Sequence, residues 1–208
     1  MIPKIIHYCW FGNGPMSELV IKCLASWKKH LPDYELMVWN EKNFDVEEYI
    51  FAKEAYKEKK YAFVSDVCRL HALKKFGGIY LDTDVEFLKT LPNDMLENVA
   101  FTGFEDNLLL SSAIMGSTKD GKWISDLLAH YENRSFYLAD GKLDVNPNTE
   151  IITAFLKRNK GVKINNSFQQ IDGYCTIYPS DYFCPKSWKT LKVSITPNTY
   201  CIHHFAGS

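Results

Sequence analysis

No charge of one sign dominates this chain: 24 lysines and arginines face 25 aspartates and glutamates across 208 residues. That balance excludes the strongly basic footprint of a nucleic-acid binder. No apolar run approaches the ~18–20 residues that a membrane-spanning helix needs. The six cysteines (Cys9, Cys23, Cys68, Cys175, Cys184 and Cys201) form no Cys-x-x-Cys pair, which removes the readings of a zinc site and a disulfide framework. Nothing at the start resembles a signal peptide, because Met1-Ile2-Pro3-Lys4 runs straight into a strand-like stretch. Reduced thiols and a cytoplasmic location are the expectation. Repeats, low-complexity tracts and linkers are missing too, and the length suits one domain with a real core over residues 1–208.

What is present is an alternation of short apolar runs and helical periods. Ile5–Phe11 reads as a first strand closed by the loop signal Gly12-Asn13-Gly14-Pro15. Ser17 is placed to cap a helix to His30, with Leu19, Cys23, Leu24 and Trp27 on one face. Glu35–Asn40 reads as the second strand, and residues 45–60 as a lysine-rich helix with Lys53, Lys57, Lys59 and Lys60 on a solvated face. Tyr61–Phe76 has a helical apolar period, basic residues in its last turn and Gly77 as C-cap, with a third strand over Ile79–Leu81. Further strands are expected near 99–104, 111–116, 162–164 and 199–203, and helices near 120–131 and 148–158. The pattern predicts an α/β sheet with helices on both faces and ligands beyond the carboxyl ends of its strands, where Trp10, Asn40 and Asp82 fall.

The most informative stretch is Gly77-Gly78-Ile79-Tyr80-Leu81-Asp82-Thr83-Asp84. An apolar strand that delivers two carboxylates one residue apart makes sense where something cationic neutralises them, since such a pair is otherwise costly. Oxygen ligands of this type suit Mg²⁺ or Mn²⁺, which commonly hold a substrate's phosphates. On a helix, Asp66 and Arg69 are three apart and share a face, which fits either a surface ion pair or a ligand-binding pair. His7 reads as a satisfied core histidine, and Trp27 and Trp39 as core or rim residues. His30, His71 and His130 have no partner that the sequence identifies.

Taken in order, Ile2-Pro3-Lys4-Ile5-Ile6-His7-x-x-Trp10, Ser65-Asp66-x-x-Arg69, Gly77-Gly78-Ile79-Tyr80-Leu81-Asp82-x-Asp84 and His203-His204-Phe205-Ala206-Gly207-Ser208 resemble glycosyltransferase family 32. These Asp-x-Asp sugar transferases are related to the catalytic domains of the large clostridial toxins and to yeast mannosyltransferases. The bacterial members that this chain resembles build capsular or surface polysaccharide. The resemblance implies a GT-A fold, a Rossmann-like mixed sheet flanked by helices. Residues 1–90 would then form the nucleotide-binding half and 91–208 the acceptor side.

The resemblance further implies a metal-dependent hexosyltransferase that retains anomeric configuration, using a nucleotide sugar (UDP in preference to GDP) and Mn²⁺ or Mg²⁺. Trp10 would stack on the base, with Tyr8 beside it. Asp66 would bind donor hydroxyls, and Arg69 would approach the donor sugar and phosphate. Asp82 would touch ribose and donor sugar and reach the metal, and Asp84 would ligate the metal directly. One of His203 and His204 would complete the metal shell, with His204 slightly preferred, and Ser208 would lie at the donor. The acceptor would be a saccharide or a lipid-linked saccharide near Glu105, Asp106 and Asn107. The mixed aromatic and basic run Tyr182, Phe183, Lys186, Trp188, Lys189 and Lys192 offers peripheral contact with the inner face of the membrane. Two other readings remain: a haloacid-dehalogenase-type phosphatase, whose nucleophile motif is also Asp-x-Asp but prefers Thr or Val where Glu86 stands, and a non-catalytic nucleotide-sugar-binding protein.

Overall fold

The computed structural model describes residues 1–206. Nine strands and seven α-helices follow one another in it: β1 (Ile5–Cys9), α1 (Glu18–His30), β2 (Glu35–Trp39), α2 (Ile50–Lys57), α3 (Tyr61–Phe76), β3 (Gly78–Leu81), β4 (Val85–Phe87), α4 (Asn93–Leu96), β5 (Ala100–Gly103), β6 (Ile114–Ser117), α5 (Lys122–Ala129), α6 (Asn148–Lys160), β7 (Gln169–Ile171), β8 (Cys175–Tyr178), α7 (Ser180–Phe183) and β9 (Cys201–His203). Seven strands form one mixed sheet in the order β2-β1-β3-β6-β5-β8-β7. β1 runs parallel to both β2 and β3, β6 lies antiparallel to β3, and β5 lies antiparallel to β6 but parallel to β8. The small sheet β4-β9 pairs Val85 with His203.

Alternation along the central strands sorts the core into two layers. Ile6, Ile79, Leu81, Phe101 and Ile114 pack with Trp27 of α1, Met95 of α4 and Phe183 of α7. Cys9, Tyr80, Ala100 and Met115 pack with α2, α3, α5 and α6 through Phe51, Leu70, Trp123 and Ile152. Both faces are therefore covered, as the period-2 pattern of strands in a two-sided sheet requires.

Several expected elements differ. The first strand stops at Cys9, so Trp10 and Phe11 lie past its end. The helix expected over 45–60 is broken: Asp45 caps a short 3₁₀ turn, Val46–Glu48, and Tyr49 is extended (φ −127°, ψ 120°) before α2 begins. Residues 162–164 form no strand, because the Lys163 amide and carbonyl bond the Gln169 side chain. The strands of this region are β7 and β8 instead. Residues 111–113 precede β6 as irregular chain.

His7 is fully buried. It accepts from Trp39 Nε1 at Nδ1 (3.1 Å) and donates from Nε2 to the Gly77 carbonyl (2.7 Å). Burial, opposed in part by the Gly77 bond, lowers its pKa from 6.5 to about 4, so it is a neutral core residue. His71 also finds a partner, the Tyr49 hydroxyl at 3.1 Å.

Candidate active site

The parallel trio β2-β1-β3 places Asn40, Trp10 and Asp82 on one rim, each just past the carboxyl end of its strand. The glycine pair sets the position of that rim. Gly77 caps α3 at φ +67° and returns its N–H to the Leu73 carbonyl (2.9 Å). Gly78 follows at φ +102°, so close to β1 that a Cβ there would lie 2.6 Å from the Ile5 carbonyl oxygen. Only a residue without a side chain lets β3 start this near its neighbour.

β3 then delivers Asp82, whose amide donates to the Ala113 carbonyl (2.9 Å). Its Oδ1 accepts from the Tyr80 hydroxyl (2.9 Å) and stands 3.4 Å from Arg69 Nη1. Arg69 is 5% exposed. Nη2 meets Asp66 Oδ1 at 2.8 Å, Nη1 donates to the Ser112 carbonyl (2.7 Å), Nε donates to Ser65 O (3.2 Å), and the guanidinium lies 4.5 Å from the Tyr80 ring centroid. A fully bonded, buried guanidinium is not the exposed ion pair that spacing alone permits. Burial pushes the Asp66 carboxyl up to about 6, with Arg69 opposing that rise and Asp82 adding to it. Of the two residues that hold Arg69, Tyr80 lies inside the Asp-x-Asp motif and Ser112 outside every motif, and neither carries a functional signal of its own in the sequence.

Asp84 lies one turn further on. Its Oδ2 accepts from the Ala206 amide (2.8 Å), its carbonyl accepts from His204 N (3.0 Å), and its Oδ1 is 3.4 Å from His203 Nε2. One ligand atom each from Asp82, Asp84 and His203 falls within 4.8 Å of the others. The two histidines point different ways. His204 Nε2 bonds Glu86 Oε2 at 2.8 Å, a carboxylate that Lys22 also holds at 2.8 Å. The structure thus groups His203 with the aspartates, whereas His204, just past β9, faces Glu86.

These residues suit a divalent cation. Two carboxylate oxygens and one imidazole nitrogen converge, and Nδ1 of His203 is buried with no hydrogen-bond partner. Although burial works the other way, Asp84 raises the His203 pKa well above its ordinary value, and His203 in turn lowers that of Asp84. A bound cation would displace the proton that this pairing favours on His203.

Trp10 is half-buried, and its indole N–H is tied to the Gly14 carbonyl (2.9 Å). Tyr8, also half-buried, stands edge-on to Trp27. Ser208 lies outside the described residues. Glu105 sits past β5 and lines a groove of about 680 Å³ with Asp106, Lys186 and Trp188. Burial raises the Glu105 pKa, and His203 opposes that rise. No feature of the sequence beyond its position after Phe104 singled it out.

Residues 17–102 match the family described as "Glycosyltransferase sugar-binding region containing DXD motif". The chain is 30% identical over 142 residues to inositol phosphoceramide mannosyltransferase 3 of Schizosaccharomyces pombe, covering 65% of this chain and 38% of that protein. It is 25% identical over 170 residues to lactosylceramide 4-alpha-galactosyltransferase of Rattus norvegicus, covering 74% and 44%. The chain therefore spans less than half the length of either relative. Among solved structures it is similar to the PaToxG glycosyltransferase (TM-score 0.56, 19% identity, 77% of this chain and 70% of that one). It is also similar to a glycosyltransferase involved in glycosylation of the major capsid of PBCV-1 (TM-score 0.51, 11% identity, 99% and 95%). The match over 17–102 covers Asp82-Thr83-Asp84. The chain thus has the GT-A fold, and its residues 17–102 are similar to the Asp-x-Asp sugar-binding region of glycosyltransferases.

Proposed function

We propose that this protein is a metal-dependent glycosyltransferase that moves a hexose from a nucleotide sugar, a UDP-sugar in preference to a GDP-sugar, to a saccharide or lipid-linked saccharide, in the synthesis of a surface polysaccharide on the cytoplasmic side of the membrane. The observation that carries this reading is the convergence of Asp82, Asp84 and His203 within 4.8 Å, beside the Arg69 ion pairs on the rim of β1 and β3. Asp84, Asp82 and His203 would hold Mn²⁺ or Mg²⁺, which supplies Lewis-acid neutralisation of a departing diphosphate.

The chain's own residues do the rest. Trp10, fixed by Gly14, offers an indole face to the base. Arg69 keeps Asp82 in place and contributes positive potential to the donor pyrophosphate and sugar. Asp66, held by Arg69, accepts from donor hydroxyls. Residues 1–90 form the donor half and 91–208 the acceptor side, with Glu105 at the border.

Configuration is retained by front-face attack, in which the acceptor hydroxyl enters from the side the diphosphate leaves. The Asp66 carboxylate, engaged by Arg69, supports this over a double displacement. Trapping a glycosyl ester on an aspartate or glutamate would sink it.

Calorimetric titration of UDP and GDP, each with and without Mn²⁺, tests the whole reading. Metal-dependent UDP binding is expected. Binding of neither nucleotide overturns it, and a preference for GDP changes the donor class.

A further inference from the structure

Residues 185–195, Pro-Lys-Ser-Trp-Lys-Thr-Leu-Lys-Val-Ser-Ile, form a hairpin that projects beside the groove. Ser187 N donates to Lys192 O (2.9 Å), Leu191 N to Ser187 O (2.8 Å) and Ser194 N to Pro185 O (2.9 Å), and Lys186 bridges Val193. Four large apolar side chains on it stand in solvent: Trp188 (47% exposed), Leu191 (61%), Val193 (46%) and Ile195 (61%). Isolated exposed apolar residues need no explanation, but a cluster on one projecting turn does.

Leu191 sharpens the point. It occupies the apex at φ +58°, a conformation that glycine or asparagine adopts far more readily. Neither turn geometry nor solvation accounts for a leucine there, so its value lies in an apolar side chain at the tip. The segment carries three lysines and no acidic residue, in a chain whose net charge is −1. Lys186 is used internally, on the His204 carbonyl (2.6 Å), whereas Lys189 and Lys192 are exposed at the apex. Trp188 is steered by Asp106, which accepts its indole N–H at 3.0 Å. The expected aromatic run is thereby split: Phe183 is core and Tyr182 packs at a tilt against Tyr178 and Tyr200, which leaves the apex as the interfacial part.

We infer that this hairpin is a membrane-docking element, which sets Trp188, Leu191, Val193 and Ile195 into the headgroup region of an anionic bilayer, with Lys189 and Lys192 on the lipid phosphates. An amphipathic indole, apolar tips and exposed cations of one sign are the chemistry of such an interface. Because Trp188 and Lys186 also line the groove that holds Glu105, a carboxyl that feels the charges of His203, Asp82 and Asp84, docking would bring that groove to the lipid surface. Docking itself needs nothing of the donor reading; only the consequence, a lipid-linked saccharide as acceptor, rests on it.

The test is co-sedimentation of the full chain with phosphatidylglycerol–phosphatidylcholine vesicles, against pure phosphatidylcholine, with UDP–Mn²⁺ titration and sedimentation velocity on the same samples. Binding to the anionic vesicles that weakens with salt is expected. Lys189→Gln and Lys192→Gln should each lower it about fivefold, and Leu191→Glu with Ile195→Glu should abolish it while nucleotide binding persists. No binding to anionic vesicles, variants that bind like wild type, or a dimer dispersed by Leu191→Glu with no vesicle affinity would each overturn the inference. Vesicle binding without nucleotide binding would uphold the docking and sink the donor reading alone.

Discussion

Arg69 Nη1 stands 3.4 Å from Asp82 Oδ1, so the first carboxylate of the Asp-x-Asp pair is anchored by a buried guanidinium that also holds Asp66. Removing Arg69 leaves two carboxylates and the Ser112 carbonyl without their partner. Arg69→Met is expected to destabilise the fold by about 3–5 kcal/mol, as breaking a buried pair does. Adding Asp66→Asn should recover part of that loss, which urea denaturation of the single and double variants will read. Equal stability of the wild type and Arg69→Met would show that the pairs are not coupled to folding.

The two histidines separate by position, His203 beside Asp84 and His204 beside Glu86. Asp84→Ala should lower Mn²⁺-dependent UDP affinity at least about a hundredfold, and His203→Ala by about ten- to a hundredfold, with circular dichroism unchanged. His204→Ala should stay within about threefold, since Glu86 keeps Lys22 and no ligand atom is lost. Calorimetry on the three variants decides the assignment, and a reversed order of the histidines would refute the grouping of His203 with the aspartates.

His7 gives the fold a pH dependence that can be signed. Its pKa is about 4 in the folded chain against an ordinary 6.5, so the unfolded chain binds more protons between those values. Its contribution is complete above pH 6.5 and is lost as pH falls toward 4, a total of about 3 kcal/mol. Because the raised Asp66 pKa acts the other way over this range, denaturation midpoints are compared between wild type and His7→Gln from pH 7 to 4.5. They should fall less in His7→Gln, which starts from lower stability.

At Gly78, alanine would carry its Cβ to 2.6 Å from Ile5 O at φ +102°. Gly78→Ala should cost at least about 2 kcal/mol and displace β3 from β1. A thermal melt checks the first effect. The second should appear as weakened UDP binding, because Asp82 moves with the strand.

Legibility in the sequence followed how local the cause was. α3 and its cap could be read because an apolar period of 3.6 ends in a glycine, and Asp82 because β3 must follow at once. The break at Tyr49 was hidden, since residues 45–60 are helical in composition and the extended tyrosine packs on Phe44 and His71, contacts set by tertiary structure. β7 was hidden for the opposite reason. Gln169-Gln170-Ile171 is an edge strand with polar residues, while the apolar Val162–Ile164 is held irregular by the Gln169 amide. The choice between His203 and His204 had no local signal. Adjacent residues on a strand face opposite ways, and only the pairing of β9 with β4 decides which one meets Asp84. The buried state of the Arg69 network was likewise set by Ser112 and Tyr80, which sequence spacing does not bring together.

The β4-β9 pair joins positions that are far apart along the chain, and His203 reaches Asp84 only through it. A ribosome-bound or truncated chain that ends before β9 would possess the Asp-x-Asp loop but lack the third ligand. Under the proposed metal site, cation capture would wait on the pairing of β9 with β4, so the last strand to be made would also be the one that completes the ligand set.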